Sequence, residues 1–432
     1  MSGLARDSID CAFERTAFTA LERFLRARLA RTLSGLRDAR LVLHDALGTM
    51  EFGMSLAEQP QLNVQVWVTD PRLYRAMAAQ GTVGAGDAYG EGYWHCQDLV
   101  GLVRLLVRNR ELLEGLDSGT ARLGSAALRW WHAWRPNTRA GSRRNIAAHY
   151  DLGNEFFRLF LSADLMYSAA LWTHATDTLE VASARKLDAI CLKLDLRPEH
   201  HVIEIGSGWG GFAIHAARHY GCRVTTTTIS REQYELARSL VAAAGLQDRV
   251  TVLLQDYRDL TGRFDRLVSL EMIEAIGASY LPTYFAKAGS LLGPQGLALI
   301  QAITIEDHRY KQALGTVDFI QRHVFPGSFI PSLAAMLEAK SRGTDLALVH
   351  AEDFGLSYAL TLQAWRERFM ARLAEVRAQG FDERFQRLWE FYLAYCEGGF
   401  RERTIGVAQL LLAKPHAPQT LPRWTSRDEA AR

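Results

Sequence analysis

Residues Val202-Ile203-Glu204-Ile205-Gly206-Ser207-Gly208-Trp209-Gly210-Gly211 decide how the rest of this 432-residue chain is read. The apolar run predicts a strand buried on both faces, and such a strand needs a parallel sheet around it. Gly206, Gly208 and Gly210 then leave no Cβ to keep the backbone from closing on a ligand, and a helix follows. A pocket is expected at the carboxyl end of the strand.

A glycine-rich turn alone is weak evidence, so its downstream context matters. The next predicted strand, Arg223 to Ile229, ends in Thr228-Ile229-Ser230 and leads into a helix carrying Gln233. Another, Val250 to Leu254, ends in Gln255-Asp256-Tyr257. These polar clusters share a rim with Gly206, Ser207 and Gly208, and together they are the candidate cofactor-binding residues. A dinucleotide site wants Gly-x-Gly-x-x-Gly and an acidic residue about 20 positions on. Here the turn reads Gly-Ser-Gly-Trp-Gly-Gly, and no phosphate-binding lysine follows. The pattern favours S-adenosylmethionine, which has no phosphate to cradle, over NAD or ATP.

Composition excludes several classes. Hydrophobic residues make up 48% and charged residues 23%, enough for two or three globular domains with ample core. A net charge of +2 is too small to imply nucleic acid. Cys11, Cys96, Cys191, Cys222 and Cys396 form no CxxC pair, which points away from disulfides and zinc and toward a reducing, cytoplasmic compartment. The charged N-terminus is no signal peptide, and no 18 consecutive apolar residues occur, so any membrane contact is expected to be peripheral, at the inner membrane face. His215 and His219 are four apart on a predicted helix but show no third ligand; they read as structural, and no metal is expected.

From Ala17 to about Leu43, apolar residues recur at helical spacing among six arginines, a surface-helix pattern. Leu41 to His44 and Leu62 to Val68 follow as strands, Gly81 to Tyr93 as a loop with five glycines, and a Leu-rich helix runs to about Leu113. Ser183 to Leu194 reads as a helix, and strands at Arg266 to Leu270 and Leu297 to Ile303 continue an alternation that implies an α/β, doubly wound, mostly parallel sheet. Beyond Ile303 the strand pattern is lost, and Glu306 to Glu352 reads as an insertion over the site. Its Phe325 to Pro331 stretch either walls an acyl chain or pins a long loop. Ala364 to Met370 and Phe385 to Tyr395 are predicted helices. The expected domains are 1–116, small and α+β; a linker, 117–149; the catalytic domain, 150–414; and a disordered tail, 415–432. The linker carries Arg122, Arg129, Arg135, Arg139, Arg143 and Arg144 with Trp130, Trp131 and Trp134 and no acidic residue, which suits an anionic membrane interface. Nothing else in the chain supports a groove-reading element for nucleic acid.

Several motifs in order resemble the cyclopropane fatty-acyl-phospholipid synthases and mycolic acid cyclopropane synthases. They are Tyr150-Asp151-Leu152-Gly153-Asn154, Tyr167-Ser168, Ile205 to Gly211, Thr228-Ile229-Ser230, Leu253 to Asp259, Phe325-Pro326-Gly327 with Pro331-Ser332, and Cys396 to Arg401. The resemblance runs from about Asp70 to Leu412. It implies a Rossmann-like class I methyltransferase domain, adds Tyr167 and Ser168 to the cofactor site, and makes membrane phospholipid the partner, with a possible homodimer.

The sulfonium of S-adenosylmethionine makes its methyl carbon an electrophile, and transfer to an alkene leaves a carbocation that must lose a proton. In the family the base is taken to be a bound bicarbonate. Carried over, its ligands would be Glu274, Tyr358, Gln301, Ile303 and Ala169. Glu274 and Tyr358 match the family, whereas Ala169 replaces a cysteine, Gln301 a histidine and Ala275 another histidine. An anion site could survive these changes, since the Ala169 N–H and the Gln301 amide still donate. The added carboxylate of Glu271 would disfavour one. Bicarbonate is therefore expected, against these departures. Cys396 is the family's marked cysteine, but methyl transfer to an alkene needs no covalent step, and a small buried hydrophobe is the reading preferred here. Trp209, Tyr167, Tyr257, Phe325 and Trp365 could shield the cation or simply pack the core.

The expected activity is cyclopropanation of unsaturated acyl chains in membrane phospholipid. Stopping at a methylene or methyl-branched chain, N-methylation of a small amine, and a non-enzymatic lipid-binding scaffold are the alternatives.

Overall fold

The computed structural model describes residues 17–53, 62–114, 141 and 152–418, which form two compact units. The first 16 residues, the Arg/Trp-rich linker apart from residue 141, Tyr150, Asp151, and the tail after residue 418 lie outside the described residues.

The first unit gathers the described residues up to Glu114 with residues 315–324 and 362–404. Its sheet runs β2-β1-β3-β4, from β1 (Ala39–Asp45), β2 (Gly48–Phe52), β3 (Leu62–Val68) and β4 (Trp94–Cys96). In β3, Leu62, Val64, Val66 and Val68 are buried, as period-two alternation predicts. The first helix spans only Ala20–Leu33, opened by a Thr19–Glu22 capping box. The expectation of helix to Leu43 is corrected because Leu41 and Leu43 also repeat at a spacing of two, and the ladder with β3 claims them.

A second correction concerns Gly81 to Tyr93. It is mostly helix, within Arg72–Gly90, broken only at Gly81 with φ at 55°. The remaining glycines serve close packing: a Cβ on Gly86 would stand 2.5 Å from the Phe319 ring. Tertiary contact here overrides helix propensity. The C-terminal helix Glu383–Arg401 joins this unit, with Glu390 accepting from the Tyr89 hydroxyl at 2.9 Å and Glu402 pairing with Arg104 and Arg108.

The second unit holds the described residues from 152 to 314 with 325–361 and 405–418. Its strands are β5 (His201–Ile205), β6 (Arg223–Thr228), β7 (Val250–Leu254), β8 (Phe264–Leu270), β9 (Leu292–Ile305), β10 (Ala347–Asp353) and β11 (Ile405–Ala413). The order is β10-β11-β9-β8-β5-β6-β7, parallel from β9 to β7, with β11 and β10 added antiparallel. Strands therefore do continue beyond Ile303, contrary to the sequence reading. β10 is an exposed edge without an apolar pattern, whereas β11 is an apolar run that could have been found. The strand order reverses between β5 and β8, which sets a crevice outside their carboxyl ends.

Val202, Ile203 and Ile205 are fully buried, and the chain leaves β5 through Gly206, Gly208 and Gly210 at φ of 96°, 49° and 91°. Gly211 opens the helix Gly211–Tyr220, and a Cβ there would lie 2.7 Å from the Asp164 carbonyl oxygen. That contact seats the segment leading to Tyr167 against the glycine turn. Gly211→Ala is expected to destabilise the fold by about 1–3 kcal/mol, read as a lower denaturation midpoint. Glu204, in the same strand, is pushed up to about 8 by burial. It holds a proton that the unfolded chain releases near its ordinary 4.5. Its contribution to stability is full below that value and is lost as pH rises toward 8, at about 1.4 kcal/mol per pH unit. Glu204→Gln should flatten this decline, so that thermal melts from pH 5 to 8 show the variant gaining on the native protein as pH rises.

Candidate active site

The carboxyl edge of the second sheet brings the predicted rim residues together. Gly206 and Ser207 donate their N–H groups to the Thr227 carbonyl at 3.0 and 2.8 Å, which fixes the turn against β6. Thr228 donates to the Gln233 side chain at 2.8 Å, and Ser230 caps the helix that carries Gln233. Ile229 lies between them, half-buried. The Gln255 amide caps the Asp259 carbonyl at 2.8 Å, and Asp256 is held by Arg258 at 2.6 Å. The Tyr257 hydroxyl is buried with no hydrogen-bond partner among the described residues, a polar atom left for a ligand. Tyr167 packs between Phe157 and Phe325 with its ring tilted to both, at centroid distances of 5.3 and 6.2 Å. Ser168 accepts from the buried Lys186 ammonium at 2.8 Å. A glycine turn with an open backbone, no lysine at the turn and an unpartnered tyrosine hydroxyl fit a nucleoside-bearing sulfonium.

Beyond β8 the chain forms a second cluster. Glu271 adopts φ of 49°, a conformation that costs a non-glycine residue energy, and this turns its carboxylate inward. Its Oε1 accepts from the Ala169 N–H at 2.8 Å and from the Gln301 amide at 2.7 Å, and Tyr358 hydrogen-bonds the same carboxylate. Glu274 Oε1 accepts from the Ile303 N–H at 2.5 Å, while its Oε2 is buried without a partner. Phe329 N–H closes on the Glu274 carbonyl at 3.0 Å, which brings the Phe325 to Pro331 stretch beside the carboxylates.

The orientation of Gln301 follows from its neighbours. Lys193 can only donate, and it donates to Gln409 Oε1 at 2.6 Å. The Gln409 amide nitrogen then donates to Gln301 Oε1 at 2.9 Å, which leaves the Gln301 NH2 facing Glu271. These side chains form one row across β9 and β11, where Gln301 and Gln409 are in register.

Burial raises both carboxyls, but unequally in kind. Glu274 is pushed up to about 8 by burial and then by the neighbouring Glu271 charge, so it carries a proton at neutrality. Glu271 is raised by burial, against the opposing pull of its donors from Ala169, Gln301 and Tyr358 and of the Lys186 charge, so its surroundings favour the charged form more than those of Glu274 do. Lys186 is itself lowered to about 8 by burial. The five positions expected to hold bicarbonate are thus brought together, but they do not fit it: Glu271 takes the donors of Ala169, Gln301 and Tyr358, and Glu274 takes that of Ile303.

Cys396 belongs to the first unit, where burial pushes its thiol far above the usual range and leaves no thiolate for nucleophilic work. Trp365 is fully buried in that unit as well. Trp209 is buried with its indole N–H on Asn154 Oδ1 at 2.6 Å and its ring 5.0 Å from Phe157. His215 is engaged by Asp188 at 2.9 Å, and no group of three potential metal ligands occurs among the described residues. Sequence reasoning missed Lys186, Lys193 and Gln409. The signal available was a polar residue inside an apolar run, as Gln409 is in Ile405–Ala413.

The model of the mycolic acid cyclopropane synthetase family matches residues 137–410. The tuberculostearic acid methyltransferase of Mycobacterium tuberculosis is 37% identical over 90% of this chain and 91% of its own length. The cyclopropane-fatty-acyl-phospholipid synthase of Escherichia coli is 36% identical over 80% of this chain and 87% of its own. A crystal structure of a mycolic acid cyclopropane synthase complexed with SAH and CTAB superposes with a TM-score of 0.59 at 29% identity, covering 63% of this chain and 98% of that one. With a switch-point crevice that suits the cofactor and a match over most of its length, this chain belongs to the mycolic acid cyclopropane synthetase family of S-adenosylmethionine-dependent methyltransferases.

Proposed function

We propose that the chain transfers the methyl carbon of S-adenosylmethionine to a cis double bond in an unsaturated acyl chain of a membrane phospholipid and closes a cyclopropane ring. The observation that carries this is the pair of carboxyls beside the glycine rim, with Glu271 taking the donors of Ala169, Gln301 and Tyr358, Glu274 taking that of Ile303, and the Phe329 N–H closing on the Glu274 carbonyl. An alkene is a poor nucleophile. What the protein must supply is alignment behind the methyl group, exclusion of water from a carbocation, and a group to receive a proton.

Contact with the bilayer is part of this reading. No described helix is long and apolar enough to cross a membrane. In the first unit, the arginine-bearing helix Ala20–Leu33 leaves Leu21 52% and Phe24 64% exposed, which suits a peripheral surface. The Arg/Trp-rich segment would add to it, and residues 306–352 would cover the acyl chain. A homodimer enters only through the family resemblance.

The likeness to a tuberculostearic acid methyltransferase favours one second reading, in which the proton leaves from a different carbon and a methylene or methyl-branched chain results. Acyl chains analysed by mass spectrometry, after incubation of the pure protein with S-adenosylmethionine and liposomes of cis-unsaturated phospholipid, separate the two. A gain of one CH2 that resists mild hydrogenation is the expected ring, a product that takes up hydrogen is the olefin, and no gain on any lipid overturns both. Glu274→Ala, which frees the Ile303 N–H and unsettles the cluster beside the cofactor rim, is expected to lower turnover about a hundredfold through lost alignment.

A further inference from the structure

We infer that Glu271 is the chain's built-in general base and that it replaces a bound bicarbonate in the site formed by Ala169, Gln301 and Tyr358. The inference rests on the proposed methyl transfer to an alkene and assigns the proton acceptor within it.

Three observations converge. The donors that an external anion would need are all spent on one side chain: the Ala169 N–H at 2.8 Å, the Gln301 amide at 2.7 Å and the Tyr358 hydroxyl all serve the Glu271 carboxylate. The donor face of Gln301 is set by the row through Gln409 to Lys193, so the site is wired to receive an acceptor whether or not a ligand is present. Glu271 also holds φ of 49°, and backbone strain of this kind persists where the surroundings hold it in place. A second anion in the same place would meet the Glu271 charge at close range in a buried site.

The chemistry balances without a further reactant. The bond from the methyl carbon to sulfur breaks as its bond to one alkene carbon forms, leaving positive charge on the other. Glu271 takes a proton from the transferred carbon, and the electron pair of that C–H bond closes the third side of the ring. The proton leaves for solvent when product departs. Hydrogen bonds from Gln301 on β9, from Ala169 and from Tyr358 tether the carboxylate, which disfavours its capture of the cation.

Two measurements test the assignment. The first is titration of 13C-bicarbonate, followed by NMR, into protein saturated with S-adenosylhomocysteine. The native chain should show no saturable binding, whereas Glu271→Gly, which suits the positive φ and empties the donor set, should gain it. This readout does not depend on turnover. The second is product formation in buffer stripped of carbon dioxide. Native turnover should be unchanged; Glu271→Gly should lose about a hundredfold or more and recover at least about tenfold on adding bicarbonate or formate. Should the glycine variant fail to fold, Glu271→Gln keeps the shape and should lose a similar factor with unchanged affinity for S-adenosylhomocysteine. Saturable bicarbonate binding by the native chain, loss of native turnover on stripping, or full activity of the glutamine variant would each overturn the inference. Absence of product from the native chain on every lipid would instead defeat the proposed reaction, with the binding titration still deciding which group occupies the site.

Discussion

A carboxylate can be buried only if hydrogen bonds and opposite charge replace the water it loses, and the second unit is arranged around meeting that demand at Glu271. The donors come from three places in the chain: the Ala169 backbone, Gln301 on β9 and Tyr358 on the helix Gly355–Ala371. The buried Lys186 supplies counter-charge from the helix Leu179–Lys193. None of these parts has an independent reason to be polar at zero or near-zero exposure. Together they form a network in which each member orients the next, and losing one strands the rest.

The same demand explains why the two glutamates of the cluster differ. Glu274 has backbone donors on one oxygen alone and an unpartnered second oxygen, so burial keeps it neutral. Glu271 has several donors, and these favour its charged form. Two carboxyls of one residue type, three positions apart, are given different proton affinities by what surrounds them, which is how acid and base roles are separated at one pH.

The parts of the fold legible in the sequence were those whose signal is local. Val202 to Gly211 states its strand, turn and helix through an apolar run and three glycines, and β3 states its buried face through alternation. The rim residues after β6 and β7 followed from strand ends alone. The illegible parts depend on distant partners. Gln409 meets Lys193 across 216 positions, and Ala169 meets Glu271 across 102, so nothing near either residue announces the pairing. Glu271 could be flagged only as a misplaced charge, and its direction became clear only once β9 stood beside β8. Gly81 to Tyr93 misled because glycine weakens an isolated helix, whereas here small residues let Phe319 approach.

The first unit is stitched from three separate stretches of chain, with Tyr89 bonded to Glu390 and Arg104 to Glu402. A growing polypeptide emerges from the ribosome in order, so the described residues up to Glu114 lack the partners that residues 315–324 and 362–404 supply until those have been synthesised. During that interval the helix Leu99–Arg108, whose Leu102, Val103 and Leu105 end up buried, stands without the late segments that finish its unit. The helix Glu383–Arg401 is the segment that completes this unit.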